Sequence, residues 1–239
     1  MNLHILKDAG AVARAAASLI AQKVKSAEIR TLGLATGRSP IAVYDDLSAR
    51  VAAKELSFAG ITSFNLDEYI GLSAQNPASF HAFMQRHFFG KVTLAAHHLP
   101  DGMAADPAHE AQSFENAIKQ AGGIDLQLLG IGRNGHIGFN EPGSALDSRT
   151  RLVTLSDSTR SANAPDFPTP GDVPHSALTM GIGTILEARE QLLIATGTAK
   201  ACAIRAALRG PVSADCPASA LQLHALVHVF IDEDAAALL

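Results

Sequence analysis

His136 shares one glycine-rich stretch, GIGRNGHIGFNEPG from Gly130 to Gly143, with Asn134, Asn140 and Glu141. A histidine two residues after an amide and five before a carboxylate can be oriented through one ring nitrogen while the other faces a substrate. That is what proton transfer asks of an imidazole. An isolated histidine would read as a buried ring satisfied by backbone groups, but this one has polar company. Gly130, Gly132 and Gly135 also spell GxGxxG after the apolar run Ile124–Leu129, as at the start of a dinucleotide-binding unit. Such a unit needs a helix beginning within the glycines, and Gly138, Pro142 and Gly143 would break it. Asp157 stands at a distance suited to a ribose contact, yet no helix is read between it and the glycines. No cofactor is therefore expected. Nor is a metal: HIGFNE is not a helical His-x-x-x-His, and His224 with His228 reads as part of an apolar strand without a third ligand.

Elements that would hold this loop follow from periodicity. Asp8 as N-cap, with Val12, Ala15, Leu19, Ile20 and Val24 at helical spacing, predicts a helix over 8–26. Arg30–Ala35 reads as a strand running into Thr36-Gly37-Arg38-Ser39-Pro40, with Ser39 as N-cap and Pro40 at the first helical position. Strands are further predicted at Ile61–Leu66, Ile124–Leu129, Gln191–Ala195 and Val227–Ile231, and helices at Ser79–Phe89, Ala108–Ala121 and Thr198–Leu208. The alternation predicts one α/β domain over 1–239, with a doubly wound, mainly parallel, Rossmann-like sheet and helices on both faces. Ligands in such sheets bind beyond the carboxyl ends of the strands, where the Gly130 loop emerges. The segment 161–175, SANAPDFPTPGDVPH, has four prolines and no periodic signal. It reads either as a lid over a site or as a tolerated surface loop. There is no internal repeat and no linker.

With 239 residues, 47% of them hydrophobic, the chain can bury a core without staples. Its 19 Lys and Arg against 23 Asp and Glu, without a basic run, exclude nucleic acid as an expected partner. Cys202 and Cys216 form no CxxC pair, which fits a reducing cytosol, though the two could pair with each other. Met1 is followed by neither a basic start nor a sustained apolar stretch, and no apolar run is long enough to span a bilayer. A cytoplasmic protein without membrane contact is expected; its oligomeric state stays open.

GIGRNGHIGFNEPG resembles the signature loop of the glucosamine-6-phosphate deaminase family. The similarity extends to ATGRSP at 35–40, FNLDEYIGL at 64–72, ALTMGIGTIL at 177–186, TGTAK at 196–200 and LQLH at 221–224, covering most of the chain in the family's order. The related 6-phosphogluconolactonases share the fold and a Gly-His pair but lack the Phe-Asn-Glu-Pro that follows here. The resemblance implies a hydrolase and isomerase of amino-sugar metabolism, most simply one turning D-glucosamine 6-phosphate and water into D-fructose 6-phosphate and ammonia. It makes Asp67 the base that moves a proton between C2 and C1, with Glu68 on the other face of an extended chain. The plain alternative is that both carboxylates cap the next element. His136 would open the sugar ring with Asn134 and Glu141 as partners. The uncharged Asn134 would accept a hydrogen bond from the imidazole and leave Glu141 the one ionised partner. Phosphate would rest on the backbone of Thr36, Gly37, Arg38 and Ser39 at a helix start and on Lys200 as a point charge.

The lid pattern Thr-Arg-x-x-Asn is present as Thr159 to Asn163 and makes Arg160 and Asn163 lid residues. The family's phosphate-binding arginine, placed before a phenylalanine, is replaced by Pro165 or Asp166 before Phe167, and Arg38 could compensate. Ser144, Arg151 and Thr154 match part of the family's regulatory set, but Val153 replaces a lysine and a tyrosine-bearing tail is missing. Activation by an acetylated aminosugar phosphate is not expected. PASALQLH also resembles galactosamine-6-phosphate deaminases. That enzyme, a 6-phosphogluconolactonase and a non-catalytic sugar-phosphate sensor are the other readings, all with a sugar phosphate as partner.

Overall fold

The computed structural model describes residues 1–239. The apolar runs become strands buried on both faces, which is why they read as near-continuous apolar stretches rather than alternating ones. In chain order the elements are β1 (Asn2–Leu6), α1 (Ala9–Lys25), β2 (Thr31–Leu34), α2 (Arg38–Ala52), β3 (Thr62–Asn65), β4 (Asp67–Tyr69), α3 (Phe80–Met84), β5 (Ala96–His98), α4 (Pro107–Gln120), β6 (Leu126–Leu129), β7 (Arg151–Thr154), α5 (Asp157–Asn163), β8 (Ser176–Thr179), α6 (Ile182–Leu186), β9 (Glu190–Ala195), α7 (Ala201–Arg209) and β10 (Val227–Asp232).

Seven strands form one sheet in the order β1-β10-β9-β6-β2-β3-β5, every pair parallel. Leu32, Leu34, Leu126 and Leu128 face α1 and α2, where they pack with Ile20, Tyr44 and Leu47. Leu129, Leu193, Val229 and Ile231 face the other way, onto Phe114 of α4, Ile185 of α6 and Ile204 of α7. The doubly wound sheet is as expected. A second, antiparallel sheet, β4-β8-β7, is an addition that periodicity does not show. It puts Asp67 opposite Thr179.

Several boundaries differ from expectation. Asp8 does cap α1, its Oδ1 accepting the Ala11 N–H at 2.7 Å. But α2 starts at Arg38, so Ser39 is not its cap and Pro40 is its third residue. Gly37 takes the cap position with φ of 101°, a left-handed turn that lets the chain leave β2 at once. The helix expected over Ser79–Phe89 begins as α3 and continues as a π-helical turn, Gln85–Phe89. Lys200 lies in a 3-10 turn, Thr198–Lys200, ahead of α7. His224 ends another 3-10 helix, its ring nitrogens on the Leu226 and Ala188 carbonyls, so only His228 belongs to the strand β10. The segment 161–175 is not structureless. Its first residues complete α5, and 3-10 turns follow at Ala164–Asp166 and Pro170–Asp172.

Candidate active site

Four neighbouring strands, β9, β6, β2 and β3, each lead into a segment the sequence marks. Lys200 follows β9, the Gly130 loop follows β6, Thr36–Ser39 follows β2 and Asp67 follows β3. Between β2 and β6 the winding reverses: from β2 the chain moves out through β3 and β5 and returns to β6 on the opposite side. Open α/β sheets bind ligands at such a reversal, because the loops on either side part there and leave a crevice.

Asp67 is 5% exposed. Gly138, with φ of 56°, brings the Gly130 loop against it: a Cβ at Gly138 would stand 3.4 Å from Asp67 Oδ2 and 3.0 Å from Thr179 Oγ1. Burial pushes the Asp67 carboxyl up to about 8; the charge of Glu68 adds to this and a bond to the Thr36 side chain opposes it. Glu68 does cap the next element, accepting the Tyr69, Phe80 and His81 N–H groups at 2.8–2.9 Å. Thus the two adjacent carboxylates divide: one holds α3, the other faces the loop.

The imidazole of His136 lies across Gly132, where a Cβ would come within 2.2 Å of its Cε1. Only glycine permits that approach. His136 Nδ1 is buried without a hydrogen-bond partner and lies 3.9 Å from Glu141 Oε2. Burial holds the ring below its ordinary pKa, the Glu141 charge pulls it back up and Lys200 pushes it further down. Asn134 does not accept from the ring as expected. Its Oδ1 takes the His136 backbone N–H at 3.3 Å, and its Nδ2 donates to Glu141 Oε2 at 2.7 Å. Lys200 donates to the Ile131 carbonyl at 2.6 Å, and burial, then Arg133, lowers its pKa. Arg38 and Gly37 are exposed and Ser39 half-buried in the first turn of α2, whose N-terminus no side chain caps. Arg160 and Asn163 make bonds of their own: Arg160 Nη2 donates to the Val173 carbonyl at 3.2 Å and Asn163 Nδ2 to Tyr69 Oη, on the strand of Asp67, at 2.8 Å. No helix starts within Gly130–Gly135, and no group of three or more His, Cys, Asp or Glu side chains converges to hold a metal ion.

Residues 7–229 match the family described as glucosamine-6-phosphate isomerases/6-phosphogluconolactonase. The chain belongs to this family. Among relatives of this isomerase/lactonase family, the glucosamine-6-phosphate deaminase of Shewanella loihica is 51% identical over 238 residues, 99% of this chain and 89% of that protein. A monomeric glucosamine-6-phosphate deaminase of known structure, described as a missing link of the NagB superfamily, superposes with a TM-score of 0.97 at 45% identity over all of both chains. The 6-phosphogluconolactonase of Trypanosoma brucei, 18% identical with a TM-score of 0.75 over 99% of this chain and 97% of that one, shares the fold.

Within this isomerase/lactonase scaffold the structure adds contacts that residue types and spacing did not show. Asn140 is fully buried and locks the loop: Nδ2 donates to the Ile137 and Met180 carbonyls at 2.9 and 2.8 Å, and Oδ1 accepts Arg151 Nη1 at 2.9 Å. Glu141 Oε1 accepts Ser156 Oγ at 3.2 Å and Thr159 Oγ1, both from the start of α5. Ser156 was findable as a helix N-cap; its bond to Glu141 was not.

Proposed function

We propose that the protein is a glucosamine-6-phosphate deaminase, converting D-glucosamine 6-phosphate and water to D-fructose 6-phosphate and ammonia. The observation that carries this is Asp67: a buried carboxyl raised to about 8 beside the loop of His136 is a base strong enough for a carbon-bound proton. Hydrolysis of a lactone needs no such base. The names of the full-length relatives point the same way.

In this reading the phosphate rests on the backbone of Thr36–Ser39 at the start of α2 and on Lys200, with Arg38 adding charge in place of the missing lid arginine. His136, its Nδ1 turned toward Glu141, uses Nε2 to take the proton of the anomeric hydroxyl and to return one to the ring oxygen, which opens the ring. Asp67 takes the C2 proton and returns it to C1. The amine-bearing C2 becomes an imine, water adds to it, and ammonia leaves as the ketose forms. The segment 161–175 with Arg160 and Asn163 serves as the lid. No helix of the chain is long and apolar enough to cross a membrane, and we place the activity in the cytoplasm, where sugar phosphates are kept by their charge.

The test is ammonia release from the two hexosamine 6-phosphates, glucosamine and galactosamine, assayed in parallel with hydrolysis of 6-phosphogluconolactone. Ammonia from glucosamine 6-phosphate, reduced at least about 100-fold in Asp67→Asn, is the expected result. Preference for the galactosamine epimer would change the substrate. Lactone hydrolysis without ammonia would overturn the reading, as would the absence of any turnover.

A further inference from the structure

Glu141 stands between the His136 loop and α5, and its two oxygens are divided between them. Oε2 accepts Asn134 Nδ2 at 2.7 Å and lies 3.9 Å from His136 Nδ1, too far for a hydrogen bond. Oε1 is held from the other side by Ser156 Oγ at 3.2 Å and by Thr159 Oγ1. Thr159 is 6% exposed and β-branched, so its hydroxyl has little rotational freedom on a helix. Ser156 caps the same helix, accepting the Thr159 N–H at 3.2 Å. Meanwhile His136 Nδ1 is buried and has no partner at all. A buried ring nitrogen facing a carboxylate across so small a gap is a bond withheld, since a shift of about 1 Å would close it. Asn134 holds the near oxygen of Glu141 from within the loop, and the two hydroxyls at the start of α5 hold the far one from outside it.

We propose that Thr159, with Ser156, is a positioning residue that holds Glu141 off His136, so that the seating of α5 decides whether the imidazole has a carboxylate partner. With α5 seated, Nδ1 is unpartnered and the ring stays neutral, ready to take the anomeric proton. With α5 lifted, Glu141 is released to bond Nδ1 and hold the ring protonated. The other charge acting on the ring, Lys200 in the turn after β9, sits on a segment other than α5 and opposes protonation in either state, while Arg133 acts on Lys200. The inference rests on the deaminase reading above for the role of His136, but its main test does not need activity.

The test follows the His136 Cε1–H resonance by NMR titration in the full chain without substrate, with ammonia-release kinetics alongside. Thr159→Val is expected to raise the His136 titration by about half a pH unit or more and to lower kcat about tenfold with KM little changed. Thr159→Ser, which restores the hydroxyl, is expected to restore the titration. An unmoved or lowered titration in Thr159→Val overturns the proposal even where kcat falls, since that would be a structural loss alone. If Thr159→Val does not fold, Ser156→Ala carries the test with the same direction and the same overturning result. No ammonia from the wild-type protein, together with a raised titration in Thr159→Val, would sink the deaminase reading and leave the coupling standing.

Discussion

At neutral pH a carboxyl held near 8 is charged in only about one molecule in ten, so Asp67, as the proposed base, would first have to lose its own proton before taking one from carbon. The rate constant kcat/KM is therefore expected to rise with pH through about 8 and level off above it; an acidic limb centred well below 7 would remove Asp67 from the role. The same burial sets a stability effect of defined sign. The native pKa lies above the unfolded value of 3.8, so between 3.8 and about 8 the folded chain binds a proton that the unfolded one has lost. Stability declines as pH rises through that window, and the full cost is present above it. Asp67→Asn removes the charge and should raise Tm at alkaline pH by about 5 °C while abolishing turnover, a gain that calorimetry on both proteins would detect. Asn134 makes a second case. Since it donates to Glu141, Asn134→Asp would set two carboxylates face to face and add negative charge beside His136. The His136 NMR titration should move upward, and a titration that stays put would show that charge at position 134 is not felt by the ring.

The Gly130 loop works because three glycines let its backbone pass where side chains would not fit, and each has a different neighbour: Gly132 the His136 ring, Gly135 the Cys216 sulfur, Gly138 the Thr179 hydroxyl and Asp67. Gly132→Ala should displace the imidazole and reduce kcat at least about 100-fold without unfolding the sheet, as circular dichroism beside the kinetics would register. Lys200→Ala and Arg38→Ala should act on KM, Lys200 more strongly because it is half-buried at the site edge while Arg38 is exposed. Much at this scale was legible beforehand. The central strands need no tertiary information to be read: Leu126–Leu129 and Glu190–Ala195 lie in the middle of the sheet and are largely apolar because both faces are covered. The small sheet was illegible for the opposite reason. Asp67-Glu68-Tyr69 has three residues, two of them acidic, and becomes a strand only because β8 pairs with it. Ser39-Pro40 misled as a helix start because the conformation of Gly37, not a side-chain cap, turns the chain into α2. At the site, residue types and spacing gathered His136, Asn134 and Glu141, but not which atoms meet. The bonds from Ser156 and Thr159 depend on where α5 docks, and no local pattern records that.

For the whole molecule, the segment 161–175 is fastened to β4 by Asn163 on Tyr69 and by Phe167 packed edge-on against the same ring, 5.5 Å between centroids. If it closes over the sugar phosphate, proteolytic cleavage within 161–175 should slow when fructose 6-phosphate is added, and Lys200→Ala should abolish the protection; cleavage at an unchanged rate would argue against a lid. The strand order has another consequence, one for how the chain matures. Thr36 and Asp67 follow strands made early, Lys200 follows one made late, and β6, which leads to His136, lies between β2 and β9 in the finished sheet. The proposed phosphate and sugar sites are therefore both present only when these strands are paired. A molecule that has captured its metabolite has already closed its sheet, so abundant metabolite draws newly made chains toward the finished form by mass action, and scarcity leaves more of them exposed to degradation.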